Sequence, residues 1–165
     1  MFSIIREEKD WQRINERLPA PKTLLHYRYV SAAATLEQDG DAELAVWQDD
    51  ETLIAHPYIR RAIPQASDFY DLRSAFEFGG FWLGAQNKLL AKQALDNFDR
   101  AFEQYCSANR IVCEFIRFHP YLPYVSEVES SYELSEQTEN IAITLNQSYD
   151  QIFAGYHTSK RKQVR

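Results

Sequence analysis

Cysteine is nearly missing from this chain. Cys106 and Cys113 are the only two, too few for a disulfide framework or a cysteine-ligated zinc site. Cys106 falls on the apolar stripe of an expected helix and Cys113 within an apolar strand, so both read as small core residues in a reducing compartment. Long apolar runs are missing as well. No stretch approaches the ~20 residues of a membrane-crossing helix. The N-terminus, "MFSIIREEKDW", lacks the apolar core of a signal peptide. The expectation is a cytoplasmic protein with no membrane partner. Positive charge is also short: 18 Lys and Arg stand against 24 Asp and Glu, for a net charge of −6. That balance argues against DNA as a partner. No internal repeat or low-complexity segment interrupts the chain.

What is present suits one folded unit. With 165 residues, 45% hydrophobic and 14% aromatic, the chain can bury a core, and residues 1–165 are expected to form a single domain. "EEKDWQRINERL" places Trp11, Ile14 and Leu18 on one side of a short helix that Pro19 and Pro21 stop. "YRYVSAAATLE" spaces Tyr29, Val30, Ala33, Ala34 and Leu36 for a second helix. "AELAVWQDDETLIAHPYIRRAI" predicts a hairpin around Asp49-Asp50-Glu51, with Pro57 at a bulge or edge. "PQASDFYD" is expected as a loop, and "SAFEFGGFW" as a short strand opening into Gly79-Gly80. A helix from Lys88 to about Ala108 buries Leu90, Ala94, Phe98, Ala101, Phe102 and Tyr105. The strand Ile111 to Phe118 then completes a βαβ unit, whose strands run parallel. The acidic "SEVESSYELSEQTE" is expected as a loop or hairpin tip, "ENIAITLN" as a strand, and Ser148 as the N-cap of a final helix with Ile152, Phe153 and Tyr156 inside.

The strand "CEFIRFHP" carries the candidate site. Side chains alternate, so Arg117 and His119 share a face about 7 Å apart. They stand at the C-terminal end of a βαβ strand, where open α/β sheets bind ligands. Pro120 stops the strand there. Two readings of the pair are open: groups that meet an anionic or carbonyl-bearing ligand, or a local ion pair and a loop cap. Gly79 and Gly80 either let a ligand approach the backbone or form a plain β-bulge. The basic end, "TSKRKQVR", is either a solvated helix tip or half of a contact surface.

"NRIVCEFIRFHPYL" resembles the strand-and-turn signature of Fem-type (FemAB-like) aminoacyl and acyl transferases, a branch of the GNAT acyltransferase superfamily. Three further pieces agree in order. "AELAVWQDDETLIAHPYIRRAI" resembles the family's early hairpin, "YDLRSAFEFGGFW" its aspartate-to-glycine-glycine segment, and "IFAGYHTSKRKQVR" the start of its Lys/Arg-rich helix. There are departures. Ala75 stands where relatives often have proline and Glu77 where they often have glycine. "GGFWLGAQNK" lacks the Gln-x-x-Gly-x-Gly spacing that holds an acyl-CoA pyrophosphate. The resemblance covers only the first of the two GNAT-like halves such proteins have, and the chain ends inside the basic helix that leads to the second.

The resemblance implies an α/β fold, a GNAT-like mixed curved sheet flanked by helices. It implies the acceptor-side half of an N-acyltransferase that moves an acyl or aminoacyl group to a small-molecule or peptide amine. No cofactor is expected in this chain, acyl-CoA or aminoacyl-tRNA being the donor in the full-length family. Arg117 and His119 would bind the acceptor. Tyr156, Lys160 and Arg161 would line the far side of the cleft or bind donor phosphate. No metal is expected, and no serine or cysteine has a nucleophile setting. The alternative is a non-catalytic interaction or assembly module, with a homo-oligomer or a missing C-terminal half as partner.

Overall fold

Alternation fixes the centre of the fold. In Thr52–Ile63, Leu53, Ala55 and Ile59 enter one apolar cluster, while Ile54 and Tyr58 enter another. A strand buried on both faces shows eight consecutive buried residues, as here, instead of polar alternation. The structure, a computed structural model, describes residues 1–19, 23–36, 40–76, 78–85, 88–119, 132–135 and 143–163. The chain divides into two compact units, Met1–Glu133 and Leu134–Arg165.

The first unit is a six-stranded mixed sheet flanked by helices, an α/β architecture. Its strands are β1 (Phe2–Ile5), β2 (Gly40–Gln48), β3 (Thr52–Ile63), β4 (Ala66–Arg73), β5 (Trp82–Ala85) and β6 (Ile111–Phe115). Its helices are α1 (Glu8–Arg17), α2 (Tyr27–Leu36) and α3 (Lys88–Ala108). The order is β1-β2-β3-β4-β6, and β5 pairs with β3. The expected hairpin is β2–β3, with Leu44 opposite Pro57 and Gln48 opposite Leu53. Asp49 closes its turn by accepting from the Thr52 and Glu51 amides and the Thr52 hydroxyl. Those bonds hold its carboxyl below the usual range.

Helices α1 and α2 cover one face through Trp11, Ile14, Val30, Ala33 and Ala34. The Trp11 indole also donates to the Leu25 carbonyl at 2.7 Å, which satisfies its buried N–H. Helix α3 covers the other face through Ala91, Ala94, Leu95, Phe98 and Phe102. Phe2 of β1 packs on Phe98 and Phe102. That strand was not expected from "MFSII", which is too short to show a period.

Three expectations need correction. "ASDFYDLR" is not loop but strand β4, and β4 rather than residues 75–80 is the parallel partner of β6. Residues 74–76 and 78–81 leave the sheet, apart from a parallel bridge between Gly79 and Phe118. Strand β6 ends the sheet order among the described residues, so one side of it is open. Cys113 is accordingly exposed, with Val112 57% and Phe115 65% exposed. Val112 bulges where the β4–β6 register slips, since Tyr70 faces Ile111 but Asp71 faces Cys113. A five-residue apolar strand reads alike at a sheet centre and a sheet edge.

In the second unit, α4 (Tyr149–Gly155) starts at the expected cap. Ser148 and Gln151 cap each other reciprocally. Tyr156 and His157 then separate α4 from α5 (Thr158–Gln163). Residues 143 and 144 have no regular structure and 145–147 form bends, rather than the end of a strand. The rest of the expected strand and most of the acidic segment lie outside the described residues.

Phe98 is fully buried on the α3 face, so Phe98→Ala is expected to cost about 3–5 kcal/mol. Phe115→Ser, on the open edge, is expected to stay within about 0.5 kcal/mol. Urea midpoints at unchanged slope measure both, and equal losses would contradict this burial pattern.

Candidate functional site

The site begins at a break in the sheet. Both β4 and β5 lie on the side of β3 away from β2. Strand β4 reaches Ile59 and β5 begins at Ala55, so His56, Pro57 and Tyr58 have a neighbour on one side only. Pro57 therefore sits in a half-edge setting that tolerates a missing N–H. Opposite these residues the chain makes its excursion through Ser74–Phe81. Phe76 within it has φ 42° and Gly80 φ 116°, the second a conformation that glycine alone adopts readily.

His56 lies under this break, 1% exposed. Its ring is held by Phe81 at 4.5 Å and by Tyr58, Phe98 and Phe102 at 5.4–6.2 Å between centroids. Its Nδ1 faces the Gly80 carbonyl at 3.3 Å and its Nε2 faces Glu114 Oε1 at 2.5 Å. The Tyr132 hydroxyl donates to Glu114 Oε2 at 3.0 Å. Burial, then the Glu114 charge, push the Tyr132 phenol far above its ordinary range, so it remains a donor.

This chain forms one end of a cleft of about 710 Å³ between α3 and β6. Asp96, Asp99 and Glu103, on successive turns of α3, face it together with Glu114. Arg100 is its one lining cation among the described residues, and that guanidinium donates to the Asp96 carbonyl and to Asn97. Phe102, Cys106 and Ile111 supply apolar wall. Burial and nearby carboxylates push the Cys106 thiol up to about 12.

A second buried carboxylate lies on the same sheet face. Glu43, 1% exposed, accepts from Arg6 at 2.8 Å, Tyr58 at 3.1 Å and Tyr105 at 3.0 Å. Arg60 adds an ion pair at 3.8 Å and lies 3.7 Å over the Tyr70 ring. The group ties β1, β2, β3 and α3 together and lines no part of the cleft.

The structure brings four of the expected site residues together at the end of β6. Arg117 lies over the Phe78 ring at 5.3 Å and His119 meets the same ring edge-on at 5.4 Å. The Arg117 amide donates to Ser74 Oγ, the Gly79 amide to the Arg117 carbonyl, and the His119 amide to the Gly79 carbonyl. Gly79 thus continues the parallel ladder, and a Cβ there would sit 2.6 Å from Ser74 Oγ. Gly80 turns its carbonyl to His56. Both glycines have backbone tasks that require glycine. Tyr156, Lys160 and Arg161 belong to the second unit, where Lys160 donates to Gln163 and Arg161 to Thr158.

His56, Glu114 and Tyr132 were not singled out from sequence. Glu114 is the lone charge within the apolar run "IVCEFI", and His56 is the lone polar side chain in "LIAHPY". A single ionisable group amid core residues is the signal that marks both. No protein-family model, curated protein or solved structure matches this chain.

The two thiols should behave differently. At pH 8 a thiol with a pKa of about 12 is roughly one part in ten thousand thiolate, the reactive form. Iodoacetamide is expected to modify exposed Cys113 and leave half-buried Cys106 intact, read by intact mass and peptide mapping. Equal modification of both would place Cys106 in a different environment.

Proposed function

We propose that this chain is the acceptor-side part of a Fem-like N-acyltransferase of the GNAT superfamily, acting on an amine. The observation that carries the reading is the His56–Glu114–Tyr132 chain at one end of an acidic cleft. A cleft on which ionisable side chains converge is a candidate binding site. Carboxylates on two walls suit a cationic acceptor, whose ammonium keeps its charge only where opposite charge replaces water. Arg117 and His119, at the end of the same strand, suit an anionic or carbonyl group of the acceptor or of the transferred acyl group. The parallel pair β4–β6 around α3 agrees with a GNAT-like sheet. The chemistry of such a site is positioning of the amine against the donor carbonyl and stabilisation of the charge that develops there. Acyl-CoA or aminoacyl-tRNA would be the donor, held elsewhere.

Calorimetry tests this with spermidine as a probe amine. Binding in the range of roughly 0.1–1 mM is expected, weakening as salt screens the cleft. Acetyl-CoA is expected not to bind. Failure of spermidine to bind would remove the acceptor reading, and low-micromolar binding of acetyl-CoA would place a donor site on this chain.

A second reading, an assembly module, is favoured by helices α4 and α5, which bury no residue. Ile152, Phe153 and Tyr156 are half-buried on them, and such apolar surface gains from a second copy. Light scattering at micromolar concentration is expected to give a homodimer that is lost when the chain is cut at Gln147. A 19.3 kDa monomer before and after the cut would overturn it.

A further inference from the structure

We infer that His56 is a positioning residue: it shares one proton with Glu114, and so presents the negative end of a buried pair on which an ammonium group docks. The inference rests on the acceptor reading above and assigns the side chain that stands behind the binding carboxylate.

The protons can be counted. The Gly80 carbonyl only accepts, so the Nδ1 that faces it at 3.3 Å carries a hydrogen. Nε2 and Glu114 Oε1 are 2.5 Å apart. Two bare lone pairs would repel at that separation, so one proton lies between them.

Glu114 is held at its other oxygen too. Tyr132 donates to Oε2 at 3.0 Å. An oxygen has two lone pairs, so Oε2 keeps one for a ligand. Glu114 is 11% exposed and lines the cleft, whereas His56 is sealed beneath it. The ring cannot swing aside, because four aromatic rings pack around it. His56 therefore reaches a ligand only through Glu114. Removing the shared proton would leave the carboxylate free to turn and change the charge the cleft presents.

Two measurements on the full chain test this. Nitrogen-15 histidine spectra, with H56Q used to assign His56 among the four histidines, are expected to show a proton on Nδ1 and a second, exchange-protected proton at Nε2. The Nε2 signal should change in E114Q. A His56 ring bearing one proton overturns the inference. In spermidine titrations, H56Q keeps an N–H donor for Glu114 and is expected to bind within about threefold of wild type. H56L offers no donor and also removes the ring's charge. The charge loss alone would tighten spermidine binding, so the expected weakening of about tenfold, the worth of one hydrogen bond to a charged group, reports lost positioning. Full-strength binding by folded H56L overturns the inference, and if H56L does not fold the wild-type spectrum still decides it. A wild-type chain that shows the shared proton but binds no spermidine overturns the acceptor reading and the docking half of the inference, and leaves the positioning half supported.

Discussion

Two carboxylates, Glu43 fully buried and Glu114 11% exposed, lie on the α3 face of one sheet, and the rest of the first unit is arranged to accommodate them. An unpaired charge there costs about 3–5 kcal/mol, a large part of a domain's stability. Each must therefore meet donors, and the donors come from different elements. Glu43 takes Arg6 after β1, Tyr58 from β3 and Tyr105 from α3. Glu114 takes His56 from β3 and Tyr132 from beyond β6. A one-residue slip of β3 against β2 would turn Tyr58 and His56 to the α1–α2 face and strand both acids. The register of the sheet is thus fixed by polar pairing as well as by apolar alternation.

The break between β4 and β5 follows from the same arrangement. A continuous strand opposite His56–Tyr58 would occupy the space through which Gly80 delivers its carbonyl and Phe81 its ring to His56. The excursion Ser74–Phe81 needs two glycines for separate reasons. Gly79 rejoins the ladder too close to Ser74 for a side chain, and Gly80 adopts a positive φ. Beyond the break, β6 presents Glu114 to the cleft and the residues that follow it turn Ile116 and Phe118 into the α3-face cluster, while Phe115 and Arg117 are exposed. One short strand thereby serves two surfaces.

Periodicity made much of this legible in advance. The stripes of α1, α2 and α3 and the hairpin β2–β3 were clear because each spans several repeats. Strand β4 was missed because "ASDFYDLR" carries three charges and reads as polar. Asp71 is half-buried by a two-point pairing with Arg61 at 2.8 and 2.7 Å, a long-range match that local pattern does not display. Cys113 was placed in the core because apolar neighbours do not reveal that a strand lies at an edge. Arg117 and His119 were brought together as their spacing implied. The His56–Glu114 pair, 58 residues apart, was not, since only the fold supplies that contact.

Glu43 and Glu114 show how one residue type on one sheet face separates into two roles. Glu43 meets a guanidinium and two phenols that burial and its own charge keep protonated. With both oxygens occupied and no cleft above, it can only hold elements together. Glu114 meets an imidazole and a phenol, and lines an acidic cleft. Its partners fix its direction without closing it off. Burial alone does not distinguish the two, since both carboxylates are largely withdrawn from water. The distinction lies in what the partners can exchange: arginine can only neutralise a carboxylate, whereas histidine can share a proton with it. On the proposed acceptor reading, that difference makes Glu114 the docking carboxylate of this face.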